Sequence, residues 1–551
     1  MSARARRLAR RAGDEAYFAG VCARSGLLGP DPPARLPRIG RALWRDGLLG
    51  GAVSIGAIRH PDRPAVRDER GQLTYRELDE RTNALANAWR DRGVRARDGI
   101  AILARNHRGF LEATFAAAKL GARIILLNTS FSGPQLREVA VREGTDLLVH
   151  DDEFVPLLDG LAPRHGCWRA WTDAPGGEDS VEWLIGRGST WPPPRAGRKP
   201  KIVILTSGTT GTPKGAPRDE PRSLSIAGGV LGKVPLRAGQ TVALAVPLFH
   251  AHGFVNLFIA TALGDTLVLR RQFDGAATLA GLQSERVEVL ILVPVMLQRM
   301  LELGSDAVRA RDLSALKIIF ASGSAVGPDL VRRTLSVFGP VLYNMYGSTE
   351  MAFATIATPT ELAEEPATVG TPSRGVTVRV LDDAGAVVPA GSTGRIFVAN
   401  SVQFEGYTGG EHKERIDGLM SSGDVGHFDA RGRLFVDGRD DEMIISGGEN
   451  VFPAEVEESL SAHPAVREVA VIGVDDERFG QRLKAFVVVH AGHETTGDEL
   501  RAHVRDNLAR YKAPRDVEFL GELPRTQTGK VLKRLLKQGS AAPGPGPGPE
   551  A

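Results

Sequence analysis

Cysteine is almost absent from this chain of 551 residues, which contains only Cys22 and Cys167. Two cysteines so far apart provide neither a disulfide framework nor a cluster of metal ligands, and their scarcity is typical of proteins in the reducing cytosol. The sequence also lacks an apolar run of about 18 residues, the length that a membrane-spanning helix needs. We therefore expect a cytoplasmic protein that has no transmembrane segment.

A large excess of charge of either sign is missing as well. The formal net charge is only +3 at pH 7, which gives no reason to expect a nucleic-acid partner. The arginine-rich residues 4–11 lack the apolar core of a secretory signal. They fit either a solvated tail or a basic helix on anionic lipid, so a peripheral membrane contact stays open, as does a homodimer.

Length and composition indicate a globular protein of two or three domains, since 42% of the residues are hydrophobic and 25% are charged. Between residues 99 and 346, continuous apolar runs such as residues 100–103 and 124–127 alternate with segments of helical length such as residues 110–119. This alternation predicts doubly wound parallel sheets of the α/β class. Ligands of such sheets bind beyond the carboxyl ends of the strands.

The pattern changes near residue 438, where short strands and two helices predict a compact α+β unit. We therefore expect a large N-terminal domain and a smaller, mobile C-terminal domain, followed by a Gly/Pro-rich tail that cannot bury a core and should be disordered. The expected segments are an N-terminal extension (1–50), the large domain (51–437), the small domain (438–537) and the tail (538–551).

Residues 206–215 (Thr-Ser-Gly-Thr-Thr-Gly-Thr-Pro-Lys-Gly) are the most informative stretch. They follow the apolar residues 202–205, which indicates a loop after a buried strand. Glycines let backbone N–H groups approach an anion, the hydroxyls add donors, and Lys214 adds a positive charge, so the loop suits a polyphosphate. A Walker A loop is disfavoured because its Lys follows Gly and precedes Ser or Thr, whereas Lys214 lies between Pro213 and Gly215.

Four further segments carry residue types that suit a bound nucleotide. Residues 346–350 (Tyr-Gly-Ser-Thr-Glu) combine an aromatic ring that can cover a base, hydroxyls and a carboxylate that suits magnesium. Residues 422–424 (Ser-Gly-Asp) place a carboxylate on a tight turn, where it can accept hydrogen bonds from ribose. Residues 438–450 and 524–530 complete the set, although each segment alone is also ordinary turn chemistry.

In this order, the five segments resemble those of the adenylate-forming ligase superfamily, which contains acyl-CoA synthetases, luciferases and the adenylation domains of peptide synthetases. The resemblance covers about residues 57–537 and is strongest to bacterial fatty-acyl-CoA synthetases. It implies that a carboxylate attacks the α-phosphorus of ATP with Mg²⁺, giving an acyl-AMP and pyrophosphate, after which the thiol of CoA displaces AMP. Catalysis of the first step is mainly charge compensation and alignment.

The resemblance also implies a role for each motif residue. Lys530 is the cation near the α-phosphate and the acid, Thr349 contacts a phosphate, and Glu350 holds the metal. Asp441 is the hinge about which the small domain moves. The residues implied to bind ATP or AMP are Thr206, Ser207, Gly208, Thr209, Thr210, Gly211, Lys214, Ser322, Gly323, Ser324, Tyr346, Gly347, Asp424 and Arg439. The residues implied to line the CoA tunnel are Gly447, Gly448 and Glu449.

The segment expected at the acid pocket, residues 247–254, contains no acidic residue. Relatives that activate amino acids have an aspartate near the position of His250, because an unpaired buried ammonium is costly. We therefore expect a carboxylic acid without that group, with a fatty acid favoured, His250 orienting it and His252 structural. An aryl or branched acid stays open, as does an acyl-AMP ligase that loads a carrier protein.

Overall fold

The computed structural model describes residues 3–173, 177–206, 213–220, 223–401, 406–410, 412–446, 449–476, 480–526 and 529–540. The helices of these ranges are α1 (Ala3–Ser25), α2 (Leu36–Arg59), α3 (Tyr75–Asp91), α4 (Arg108–Lys119), α5 (Gly133–Arg142), α6 (Val181–Ile185), α7 (Ser225–Leu231), α8 (Ala251–Leu263), α9 (Gly275–Ser284), α10 (Pro294–Leu301), α11 (Ser305–Arg309), α12 (Pro328–Phe338), α13 (Pro359–Glu364), α14 (Pro453–Ser461), α15 (Gly497–Asn507) and α16 (Lys533–Ser540).

The strands of the same ranges are β1 (Pro64–Asp68), β2 (Gly71–Thr74), β3 (Gly99–Leu103), β4 (Arg123–Leu126), β5 (Leu147–Asp151), β6 (Cys167–Trp171), β7 (Lys201–Leu205), β8 (Gly215–Asp219), β9 (Thr241–Leu244), β10 (Thr266–Leu269), β11 (Val289–Leu292), β12 (Ile318–Ser322), β13 (Leu342–Tyr346), β14 (Thr355–Ala357), β15 (Thr371–Pro372), β16 (Thr377–Leu381), β17 (Gly394–Ala399), β18 (Arg415–Ile416), β19 (Leu419–Phe428), β20 (Leu434–Arg439), β21 (Ile444–Ser446), β22 (Glu449–Val451), β23 (Val466–Asp476), β24 (Gly480–Val489) and β25 (Asp516–Phe519).

Two mostly parallel sheets form the body of the large domain. The first has six strands in the order β6-β5-β3-β4-β7-β8 and the second nine, β15-β14-β13-β12-β11-β9-β10-β1-β2. Their central strands are parallel. Because helices cover both faces, β3, β11 and β12 are buried along their whole length. The predicted α/β class with doubly wound sheets is confirmed.

A smaller antiparallel sheet, β16-β17-β19-β18 with β20 beside β19, follows the two large ones. In its register Asp424 of β19 lies opposite Arg439 of β20. The sheet therefore carries two of the predicted nucleotide residues on neighbouring strands, directly before the chain enters the C-terminal unit.

The C-terminal unit is a mixed sheet with the strand order β22-β21-β24-β23 and with β25 parallel to β24. One face packs against α14 and α15 through Val456, Leu460, Leu500 and Val504, and the other buries Leu536 of α16. The predicted smaller α+β domain at the C-terminus is thus confirmed. The exact boundaries at residues 50, 437 and 537 stay predictions, and residues 541–551 of the tail lie outside the described residues.

The segment that we predicted as an N-terminal extension takes part in the core. Helix α1 packs against α7 and α2 packs against α3, α4 and α8. Phe18, Val21 and Cys22 of α1 and Leu49 and Val53 of α2 are buried. Among the described helices, none is both long and apolar enough to cross a bilayer.

Candidate active site

The predicted phosphate loop connects β7 to β8 of the six-stranded sheet. Its stem is closed by a hydrogen bond of 2.9 Å from the Thr206 amide to the carbonyl of Lys214. The ammonium of Lys214 lies 5.5 Å from the ring centroid of Tyr407. The predicted residues Ser207, Gly208, Thr209, Thr210 and Gly211 lie outside the described residues.

Glu350 is held as a carboxylate at the edge of the nine-stranded sheet. The Tyr407 hydroxyl donates to its Oε1 at 2.6 Å. Burial alone would raise the pKa of Glu350, but hydrogen bonds from Tyr407 and Ser348 and the charge of Lys413 outweigh burial, so the pKa lies below its ordinary value. An ionised carboxylate facing a cavity suits Mg²⁺, which takes its remaining ligands from phosphates and water. The described residues contain no cluster of three or more His, Cys, Asp or Glu side chains for a metal.

The sequence analysis missed Its guanidinium donates to the carbonyl oxygens of Thr349 and Glu350, the latter at 3.2 Å. Burial lowers the pKa of Arg218 to about 10, against the opposing effect of Glu350. The signal available was a charged residue inside a strand that otherwise reads as apolar, close after the phosphate loop. Tyr407 and Lys413 were missed too, because neither belongs to a recognisable motif.

Tyr346, Asp424 and Arg439 form one connected group. The hydroxyl of Tyr346 donates to Oδ2 of Asp424, and Nη1 of Arg439 donates to Oδ1 of the same carboxylate at 3.1 Å. Burial, and then the neighbouring Asp424, raise the pKa of the Tyr346 phenol well above its usual value. The three residues were predicted from separate motifs, and the fold brings them together.

The other predicted adenine residues follow β12 and β13. Ser322 donates to the carbonyl of Met345 at 2.9 Å, which ties the two strand ends together. Gly323 has a φ of +100°, a conformation that favours glycine. A Cβ on Gly347 would lie 2.2 Å from the carbonyl oxygen of Ala352, so only glycine fits there. Ser324 lines the same cavity.

His250 lies at the start of α8 with its imidazole fully enclosed. Burial lowers its pKa to about 4, and within the described residues its Nε2 has no hydrogen-bond partner. His252 is different, because its Nε2 lies 3.2 Å from the carbonyl oxygen of Phe320 and its Nδ1 lies 3.2 Å from the amide of Asn256. The ring of His250 is thus available to a ligand, whereas that of His252 ties α8 to β12.

Lys530 reaches the cavity from the small domain. Its amide donates to the hydroxyl of Thr526 at 3.1 Å, so a tight turn positions it. The neighbouring Gly529 has a φ of +79°, and a Cβ there would lie 2.3 Å from Val295 at the start of α10 in the large domain. Among the described residues, no partner of the Lys530 ammonium is found within hydrogen-bond distance.

The remaining predicted residues lie where the two domains join. Asp441 lies in a short 3-10 turn of residues 440–442, and Glu449 begins β22. The structure does not describe the side chains of these two residues. Gly447 and Gly448, predicted for the CoA tunnel, lie outside the described residues.

One cavity of about 2840 Å³ joins these groups. It contacts both domains, and an apolar branch continues past His250 along α8 toward α2. The predicted residues that line it are Thr206, Lys214, His250, Ser322, Gly323, Ser324, Tyr346, Gly347, Thr349, Glu350, Asp424, Arg439 and Lys530. The cavity therefore offers a set of phosphate-binding and ribose-binding side chains beside an apolar channel.

The comparison with known families decides what this arrangement belongs to. Residues 56–408 match the family described as AMP-binding enzyme, and residues 455–530 match its AMP-binding enzyme C-terminal domain. The chain belongs to the AMP-binding enzyme family. This AMP-binding enzyme is therefore an adenylate-forming ligase, and the resemblance of its five segments is confirmed.

Known AMP-binding enzymes resemble it over almost their whole length. A feruloyl-CoA synthase from Amycolatopsis is 36% identical over 496 residues, covering 89% of this chain and 98% of the relative. The long-chain-fatty-acid–CoA ligase FadD13 of Mycobacterium tuberculosis is 28% identical over 480 residues, covering 86% and 94%. The crystal structure of ATP-bound MatB from Rhodopseudomonas palustris has a TM-score of 0.80 at 26% identity, covering 90% of this chain and 99% of that one.

Proposed function

We propose that this AMP-binding enzyme activates a fatty acid and transfers it to CoA. The coarser activity, ATP-dependent formation of an acyl-CoA through an acyl-AMP, is that of an AMP-forming acid–CoA ligase, as its relatives are named. The identity of the acid, the roles of the individual residues and the use of Mg²⁺ are the proposal.

The observation that carries the choice of acid is the apolar branch of the cavity. Beyond His250 the branch follows α8 from Phe254 to Ala262, a rise of roughly 12 Å at 1.5 Å per residue. Its remaining walls are aliphatic side chains of α7 and α2, namely Ile226, Ala227, Val230, Leu49, Ala52 and Ile55. Each buried CH₂ of a tail contributes about 0.8 kcal/mol, so such a channel favours a long acid over a short one.

The charged end of the cavity suits the first half-reaction. Lys530 would neutralise charge between the acid and the α-phosphate, while Asp424 and Arg439 would hold the ribose. Glu350 would hold Mg²⁺, which when bound offsets the charge of the phosphates. The neutral, unpartnered Nε2 of His250 lies between this charged end and the apolar branch, which supports a role in orienting the carboxylate.

An aryl acid is the second candidate, because the feruloyl-CoA synthase shares more identity with this chain than FadD13 does. The experiment compares octanoate, palmitate, ferulate and indoleacetate by AMP release with and without CoA. We expect the highest kcat/KM for the long aliphatic acid and AMP release that depends on CoA. A preference for ferulate would replace the fatty acid by an aryl acid. Fast acyl-AMP formation that CoA does not discharge would favour a carrier-protein acceptor.

A single variant tests the channel itself. Ala262 lines the far end of the branch, so Ala262→Phe should reduce activity with palmitate about tenfold or more and leave octanoate nearly unchanged. Ala276→Phe on the exposed side of α9 is the matched control and should affect neither acid. Equal loss with both acids would contradict the channel.

A further inference from the structure

Helix α2 is divided into two parts by a break at Gly47, whose φ is 73° and ψ is −162°. A Cβ on Gly47 would lie 2.7 Å from Oε1 of the buried Glu220, and the same oxygen accepts from the Leu49 amide at 2.9 Å. The break is therefore fixed by the core. After it, Leu49 and Val53 are buried, whereas before it the helix turns apolar side chains outward.

These exposed side chains form a continuous stretch that we name the α2 patch, made of Leu28, Leu36, Leu43, Trp44 and Leu48. Leu36 is 54% exposed and Trp44 is 63% exposed, unusual values for residues that lose free energy by facing water. Scattered exposed leucines need no explanation, but five large apolar residues within 21 positions of one chain segment form an interaction surface.

The charges around the α2 patch have one sign. Arg38 and Arg41 are exposed on the same half of the helix, and the guanidinium of Arg195 stacks 4.5 Å above the Trp44 ring. Residues 32–45 contain no Asp or Glu. The acidic Asp46 that follows is buried and bonded to Arg45 at 2.6 Å, so it does not oppose the exposed arginines.

The patch also meets the acyl branch of the cavity, because Leu28, Leu43 and Leu48 are both exposed and part of the cavity wall. The branch therefore opens to the outside between side chains that are themselves apolar. Leu36 and Trp44 lie beside this opening without lining it.

We propose that the α2 patch docks on an anionic phospholipid surface, so that the acid enters the acyl branch from the lipid through the opening at Leu28, Leu43 and Leu48. An apolar face with tryptophan, flanked by arginine and lacking carboxylates, is the composition of helices that lie in the headgroup region. The direction of entry rests on the fatty-acid function proposed above, whereas the docking itself does not.

The first experiment measures binding of the full chain to sedimented vesicles without ATP, acid or CoA. We expect binding to phosphatidylcholine vesicles that contain phosphatidylglycerol, weak binding to phosphatidylcholine alone, and weakening by salt. Leu36→Ser/Trp44→Ser and Arg38→Glu/Arg41→Glu should each reduce the partition coefficient about tenfold or more.

Two double variants away from the patch serve as matched controls. Leu303→Ser/Val387→Ser removes apolar side chains that are 42% and 64% exposed, and Arg309→Glu/Arg311→Glu reverses two exposed arginines near α11. Both controls should bind vesicles like the wild type. Equal loss in the controls, or no binding of the wild type to either vesicle, would overturn the proposal. A dimer in solution that only the patch variants dissociate, without vesicle binding, would assign the face to a second copy and also overturn it.

The second experiment separates docking from the choice of acid. Leu36→Ser/Trp44→Ser should leave acyl-CoA formation from dissolved octanoate unchanged and slow it about fivefold or more when palmitate is delivered in the anionic vesicles. Palmitate turnover that is insensitive to the patch would refute entry from the lipid while the fatty-acid function stands. Vesicle binding with turnover of aryl acids only would support the docking and refute the fatty-acid function.

Discussion

At the scale of single residues, the cavity holds charges whose state is set by their immediate neighbours. Glu350 stays ionised despite burial because Tyr407 and Ser348 donate to it. Lys530 is delivered by a turn that leaves its ammonium facing the cavity. The two groups come from different domains, which makes it possible for one of them to withdraw after the first half-reaction.

Lys530→Ala should reduce acyl-AMP formation about a hundredfold, the equivalent of roughly 3 kcal/mol of lost charge stabilisation. Formation of the thioester from supplied acyl-AMP should be largely spared, because the phosphate charge has by then been reduced. The measurement is hydroxamate trapping for the first half and CoA consumption for the second. Lys537→Ala, an exposed lysine of α16, is the control and should change neither; equal loss of both halves in Lys530→Ala would contradict the assigned role.

His250 makes stability depend on pH. Its pKa of about 4 in the folded state lies below the ordinary value of 6.5, so the unfolded chain binds more protons at mildly acidic pH. Stability is therefore fully present above pH 6.5 and is lost as the pH falls toward 4. His250→Gln should reduce the loss of unfolding free energy between about pH 7 and about pH 5 by roughly 2 kcal/mol.

The measurement is urea unfolding at the two pH values. The exposed His493→Gln is the control and should keep the wild-type pH dependence. His252 shares the same lowered pKa of about 4, so a residual dependence is expected in His250→Gln. An unchanged pH dependence in that variant would contradict the burial argument.

At the scale of elements, a polar cluster fixes α2 and α3 against α4. The ammonium of Lys119 is buried and bonded to Asp79 at 2.7 Å, with Thr82 and Asn83 as its other partners. Ser54 of α2 donates to the same carboxylate at 2.7 Å. The charge of Lys119 keeps the pKa of Asp79 below its ordinary value, against the effect of burial, so both partners are charged.

Asp79→Ala should lower the free energy of unfolding by about 3–5 kcal/mol, because it leaves the buried ammonium of Lys119 without a counter-charge. The double variant Asp79→Ala/Lys119→Met should recover much of this loss, since it removes both charges. Asp62→Ala is the control: this carboxylate is 84% exposed and paired with Arg76, and its loss should cost under about 1 kcal/mol. A double variant as unstable as the single would contradict the argument.

At the scale of the whole molecule, the site is shared between two bodies. The turn that carries Lys530 touches the large domain where Gly529 meets Val295. The chain passes between the bodies at residues 440–442, and Arg395 of the large domain bonds Asp440 at 3.1 Å. A rotation at this short link would carry Lys530 away from the cavity.

Asp441→Pro should therefore change the two half-reactions unequally, because proline restricts the backbone at the link to fewer conformations. We expect a change of at least about fivefold in the ratio of acyl-AMP formation to thioester formation. Asp383→Pro, in the turn between β16 and β17, is the control, since proline is favoured at that turn position. Identical effects on the two halves would contradict a hinge at residue 441.

Much of the architecture could be predicted from local pattern. Apolar runs such as residues 100–103 identify buried parallel strands, and the change of texture near residue 438 identifies the second domain. The packing of α1 and α2 was not foreseen, because the arginines of residues 4–11 suggested a solvated tail. Arg218 was missed because the residue that it serves, Glu350, is 132 positions away along the chain.

The sequence alone determined the class of the fold and the family, because glycine, hydroxyl and charged residues at fixed spacing define the loops that bind a nucleotide. Only the tertiary structure decided which of these side chains meet. Tyr346 reaches Asp424, Tyr407 reaches Glu350 and Gly529 reaches Val295 across long stretches of chain. Local sequence specifies strands and turns through short-range sterics and periodicity, whereas the partners of a side chain, its burial and hence its charge depend on how distant elements pack.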